Sequence, residues 1–131
     1  MKKLIGIIGL VLMGGCATTP DPQRLAMQEQ INQTIPTCSG VDDCNAKWEA
    51  AQLWIVHNSA YKIQTATSVL IETYNPSQHS PSLAARVTKE PQGGGKYRLL
   101  VALWCDNMFG CAPDAYAKAL EFNKAVGAAT P

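Results

Sequence analysis

Apolar residues recur along this chain with two periods, and the change from one to the other marks out its elements. From 43 to 57, Cys44, Trp48, Ala51 and Ile55 fall at i, i+4, i+7 and i+11, one face of a 3.6-residue repeat, and Leu53 and Trp54 widen that face. The spacing predicts a core helix. Asp42 and Asp43 suit its start, because a carboxylate caps free amides and favours the positive end of the helix dipole. Between Tyr61 and Tyr74 the period falls to two: Tyr61, Ile63, Thr65, Thr67, Val69, Ile71 and Thr73 alternate with polar positions that include Lys62, Gln64, Ser68 and Glu72. One long half-buried strand, or two sharing a kink, is expected there. Leu83, Ala85 and Val87 alternate with Arg86 and Thr88 in a second strand over 83–90. A third, over 96–105, would turn Tyr97, Leu99, Val101 and Leu103 inward. Pro91-Gln92-Gly93-Gly94-Gly95 reads as the hairpin between them, since glycine accepts the positive φ of tight reversals.

After a loop around Asp106-Asn107-Met108-Phe109-Gly110, Pro113 suits a first helical turn, Ala115, Ala119, Phe122 and Val126 make a second helical stripe, and Gly127 is the expected C-cap. A thinner stripe of Leu25, Met27, Ile31 and Ile35 predicts an extra N-terminal helix over 22–35, ended by the breaker cluster Pro36-Thr37-Cys38-Ser39-Gly40. The order α-β-β-β-α with short reversals implies an α+β fold. Its expected form is a two-layer sandwich, a three-stranded antiparallel meander with flanking helices. The two Cys-x5-Cys pairs share a spacing but not their surroundings, so no internal repeat is read from them.

Composition narrows the classes. The chain has 131 residues, 47% hydrophobic and 16% charged, with 11 Lys+Arg against 10 Asp+Glu. That excludes long disorder, a multidomain enzyme and a strongly basic nucleic-acid binder. One small domain is expected over 23–131, behind a different kind of segment.

That segment begins with Lys2 and Lys3, continues through an apolar run from Leu4 to Met13, too short to span a bilayer, and ends in the small residues Gly14 and Gly15. Leu12-Met13-Gly14-Gly15-Cys16 resembles the lipobox of bacterial lipoproteins, with Met13 where that pattern usually has Leu. The resemblance implies that residues 1–15 are a removed signal peptide. It also implies that Cys16 carries diacylglycerol on sulfur and a further acyl chain on its amine, enough to hold a protein stably to a membrane. Ala17, in place of Asp, implies transport to the outer membrane and a lipid-anchored position on its periplasmic face. Residues 16–22 then form the lipidated N-terminus and a polar tether with Pro20 and Pro22. The expected partners are the membrane, through the lipid on Cys16, and an envelope protein or cell-wall component, without nucleic acid.

Of five cysteines, one lipidated leaves four, an even number that in an exported domain reads as a disulfide framework. Among the three pairings, Cys38 with Cys44 and Cys105 with Cys111 is preferred, because each closes a short loop beside a helix start. A thiol redox pair wants C-x-x-C, and zinc wants closer, reduced pairs; neither spacing is present, so no metal is assigned. His57 is expected at a helix end and His79 in a solvated loop, without a recognisable nucleophile turn. Gly93-Gly94-Gly95-Lys96 leads into a strand and not the helix N-terminus that phosphate loops exploit. Asp42 and Asp43 are explained by capping. Asn32-Gln33-Thr34 matches a glycosylation triplet that bacterial hosts seldom use. No catalytic residue and no cofactor is assigned, and the expectation is that the protein is not an enzyme.

If the odd strand positions face the helices, Leu70, Tyr74, Leu100, Ala102 and Trp104 fall on the opposite face, beside Arg86 and Arg98. Trp, Tyr and Arg are the residues enriched at interface hot spots. The competing expectation is that the segment from Asp21 to Ile35 folds over this face and buries it. The functional expectation is a non-enzymatic, outer-membrane-anchored lipoprotein that presents a small domain for protein–protein or envelope-component binding. The alternative, a small-ligand binder or inhibitor-type accessory lipoprotein of the periplasm, requires a closed apolar pocket.

Overall fold

The computed structural model describes residues 19–131; the expected signal peptide and Cys16 lie outside the described residues. The strongly alternating sequence from 84 to 104 forms the centre of the molecule as two long antiparallel strands, Ala84–Gly93 and Lys96–Trp104. In chain order the elements are α1 (Pro22–Gln33), β1 (Thr37–Ser39), α2 (Val41–Asn58), β2 (Ile63–Ala66), β3 (Leu70–Thr73), β4 (Ala84–Gly93), β5 (Lys96–Trp104) and α3 (Ala115–Gly127). The fold is α+β, and the sheet has five antiparallel strands in the order β1-β5-β4-β3-β2. This corrects the three-stranded expectation at two places.

The first is the run from Tyr61 to Tyr74, which is a hairpin. Thr67 makes the turn with its side chain: its Oγ1 accepts from the N–H groups of Val69 at 3.2 Å and Leu70 at 3.0 Å. A threonine turn leaves the period-two pattern intact in the sequence while the chain reverses. Val69, expected to point inward, is therefore exposed at the turn. The second is the breaker cluster, where Thr37–Ser39 pairs with β5 and Pro36 extends the contact by accepting from the Leu99 N–H at 2.8 Å. Three residues are too few to show alternation.

Inward positions of the sheet, Ile71, Ala85, Val87 and Leu99, pack with Ala51 and Ile55 of α2 and with Phe122 and Val126 of α3. The Trp54 and Phe122 rings meet edge to face, their centroids 5.3 Å apart. Full burial of a side chain such as Ile55 or Phe122 contributes about 1.5–3 kcal/mol each, so this single seam holds the two layers together. The first helix lies beside α3 on the same side of the sheet. Its Gln28 and Ile31 border a hollow of about 230 Å³ shared with Ala115, Tyr116, Val101 and Leu103. The segment from Asp21 to Ile35 thus does not cover the opposite sheet face.

Helix ends show how local chemistry sets boundaries. Asp114, and not Pro113, opens α3, with its Oδ1 accepting the Ala117 N–H at 3.0 Å. Gly127 is the last helical residue of α3, and Ala128 is the cap. At α2 the capping position is Gly40, at φ +80, which offers no side chain. Asp43 compensates by accepting from the Ser39 N–H at 2.8 Å. At the β4–β5 reversal Gly93, Gly94 and Gly95 all have positive φ, as the sequence required. Pro91 sits in β4 beyond the last β3 partner, Leu70 opposite Thr88, where the missing N–H costs no ladder bond.

Beyond Leu99, β5 has no strand neighbour on the side of β1 among the described residues. Because Leu99 donates toward Pro36, the main-chain groups of Val101 and Leu103 point to that same edge. Disulfides close both ends of the domain: Cys38–Cys44 ties β1 to the first turn of α2, and Cys105–Cys111 closes the loop between β5 and α3.

Candidate functional site

The sheet face turned away from the helices is built by strict alternation in three strands. Its middle row runs Leu70, Thr88, Leu100 across β3, β4 and β5. One row toward the β5–α3 end are Glu72, Arg86 and Ala102, followed by Ala84 opposite Trp104. Toward the hairpin end are Glu90, Arg98 and Thr37. Leu70, Arg86, Arg98, Leu100, Ala102 and Trp104 therefore share one face, as the alternation required, and Tyr74, one residue past β3, is exposed at 54%. Among the described residues no helix lies over it.

The register adds what the sequence pattern lacked. Each arginine stands opposite a glutamate: Arg86 donates through Nε at 3.0 Å and through Nη2 to Glu72 Oε1, and Arg98 donates through Nη2 to Glu90 Oε2 at 3.0 Å. Both arginines are therefore paired, and Leu70 and Leu100 lie between two partly exposed ion pairs. The Arg86 guanidinium also lies 5.9 Å from the centre of the Trp104 ring, a cation–π distance that orients both side chains. Glu72 and Glu90 belong to the candidate site and were missed, because neither is recognisable until the strand register is known.

The other candidates are dispersed. His57 occupies the last turn of α2, and His79 sits in the β3–β4 loop with φ +62, its main-chain N–H donating to Asp106 Oδ2 at 3.0 Å. Neither ring takes part in a described hydrogen bond. Asp43 is held below the ordinary carboxyl value by its bond from Lys47 and by the Ser39 N–H, a structural task. Asp114 is likewise lowered, first by the Ala117 N–H and then by Arg24. Among the described residues no three His, Cys, Asp or Glu side chains converge on a metal-sized site. Hollows of about 390 Å³ beside Cys38 and Tyr97, and about 550 Å³ beside Glu49 and Leu53, are open to solvent.

No protein-family model, curated protein or solved structure matches the chain. Two further residues stand out only in the structure: Met108 and Phe109, exposed at 89% and 92% on the Cys105–Cys111 loop. Nothing in the alternation pattern distinguished them from an ordinary connection. No described helix is long and apolar enough to cross a membrane.

Proposed function

We propose that this protein is a non-enzymatic lipoprotein, anchored through Cys16 to the periplasmic face of the bacterial outer membrane, whose small domain binds a protein or other envelope component through its outer sheet face. The observation that carries the reading is that Leu70, Leu100 and Trp104 lie on a face no described helix covers. Apolar surface with an aromatic and arginines at its margin is the composition of a partner-binding centre, and the glutamates opposite the arginines offset their charge. The open form of the hollows favours a partner's surface over an enclosed small molecule.

The test is photocrosslinking in intact cells with a crosslinking amino acid placed at Ala102 and, as a control, at Gln52, which is exposed on α2. A discrete adduct from Ala102 and none from Gln52 is expected. Equal yields from both positions would defeat the face. Labelling with a fatty-acid analogue tests the anchor in the same cells, and equal label on wild type and Cys16→Ser would defeat it.

A further inference from the structure

The β5–α3 loop holds its two apolar side chains out by a dense set of bonds. Cys105–Cys111 closes it. The Asp106 N–H donates to the Ser80 carbonyl at 3.0 Å, and Asn107 Nδ2 donates to the His79 carbonyl at 2.7 Å. Above this base the Phe109 N–H donates to Asn107 Oδ1 at 2.9 Å, and Gly110 reverses the chain at φ +104. Met108 and Phe109 thus project from a rigid base, so little ordering entropy is lost when they are buried. The run Asn107-Met108-Phe109-Gly110-Cys111-Ala112-Pro113 carries no charge, so burying the tip strips water from no ionised group.

The position of the loop names its occupant. Arg24, in the first turn of α1, pairs with Asp114 at 2.8 Å and lies 4.8 Å from the centre of the Tyr116 ring, so α1 and α3 begin at one end of the domain, the end at which β5 finishes. Asp21 caps α1. The five steps along the chain from Cys16 to Asp21, and the five from Phe109 to Asp114, each span no more than about 18 Å even when extended.

We infer that Met108 and Phe109 insert into the glycerol and upper acyl region of the bilayer that holds Cys16, making a second membrane contact beside the lipid anchor. This rests on the lipid-anchor reading above. With two points of attachment the domain cannot pivot freely on its tether, and the β4–β5 hairpin, at the opposite end of β5, is directed away from the membrane.

The experiment uses the full chain purified from bacterial membranes. It is reconstituted in vesicles of phosphatidylethanolamine and phosphatidylglycerol that contain a phosphatidylcholine with a photoreactive diazirine in its acyl chain. After illumination, mass spectrometry locates the label and weighs the N-terminal peptide. The expected result is label on the 105–111 peptide, lost several-fold in Met108→Ser/Phe109→Ser, whose fold is checked by its melting temperature. Acyl mass on Cys16 with no label on 105–111 overturns the inference while leaving the anchor intact, and assigns the loop to a protein partner or to none. Absence of acyl mass on Cys16 overturns the anchor reading, and with it a contact beside an anchor; a labelled loop in that sample would show membrane insertion by the loop alone.

Discussion

Asn123 holds the end of α1: its Nδ2 donates to the Ile31 carbonyl at 3.0 Å and to Thr34 Oγ1 at 3.1 Å. α1 buries none of its residues fully, so this latch, with the exposed Arg24–Asp114 pair at the other end, supplements half-buried contacts such as that of Ile31. Asn123 is itself 3% exposed, so Asn123→Leu would keep the volume and remove the donor. The expected cost is about 0.5–1.5 kcal/mol in denaturant unfolding, the net worth of an ordinary hydrogen bond, because the Ile31 carbonyl keeps the Thr34 N–H and Thr34 is exposed. Amide exchange should quicken in 22–34 first. Loss of stability with unchanged exchange in α1 would show that the latch is not what secures it.

Trp104→Ala separates binding from folding. The ring is partly exposed and α1 lies elsewhere, so the loss of monomer stability should stay well below the roughly 3–5 kcal/mol of a buried aromatic. Association with the crosslinked partner should weaken by about 2 kcal/mol or more if Trp104 anchors it. A large fall in melting temperature of the isolated protein would remove the anchor role.

The two disulfides should differ in worth. Cys38 and Cys44 are buried at 3% and 5% within the core, whereas Cys105 and Cys111 are half-buried at a loop base. Non-reducing peptide mapping should recover both local pairs. Cys38→Ala/Cys44→Ala should cost on the order of 2–4 kcal/mol, because core packing is lost with the crosslink. Cys105→Ala/Cys111→Ala should cost less and mainly loosen the Met108–Phe109 loop, read as faster exchange at Phe109 and Gly110. The reverse ranking would contradict the burial argument.

Acid should loosen helix starts before the core. Asp43 and Asp114 both have carboxyls held below the ordinary aspartate range by hydrogen bonds they accept in the fold. A depressed folded value means the contribution is present above the unfolded value and is lost as pH falls through the folded one. Stability should therefore be insensitive to these groups down to about pH 4 and decline below it. In Asp43→Asn and Asp114→Asn that part of the decline should be smaller. An unchanged acid limb in both variants would show that other carboxylates govern it.

Side-chain periodicity made legible the core helix carrying Trp48 and Ile55, the β4–β5 hairpin and the α3 stripe, because burial of one face per element leaves a record in the sequence. The local cysteine pairs were legible for a related reason, since loop length and helix starts limit which thiols can meet. The hairpin at Thr67 was not, because a turn made by a threonine hydroxyl carries no glycine or proline signature. The placement of α1 was equally hidden: what fixes it, Asn123 on the Ile31 carbonyl, is one side chain meeting one main-chain group. For the candidate site, alternation assigned Leu100 and Trp104 to a common face, but Glu72 and Glu90 could join it only through cross-strand register. Pattern determines which way a strand residue points, and register determines whom it meets.

The unpaired stretch of β5 bears on how many copies of this protein can share a surface. A strand from a neighbouring copy that approached this edge would find only the main-chain groups of Val101 and Leu103 free before it ran into β1, and Pro36 supplies no N–H with which to continue the ladder. The opposite border of the sheet is β2, four residues with an irregular register between Ile63 and Thr65. Neither border offers the long, regular template on which sheets polymerise edge to edge. Copies crowded together would thus collide often without stacking edge to edge into fibrils.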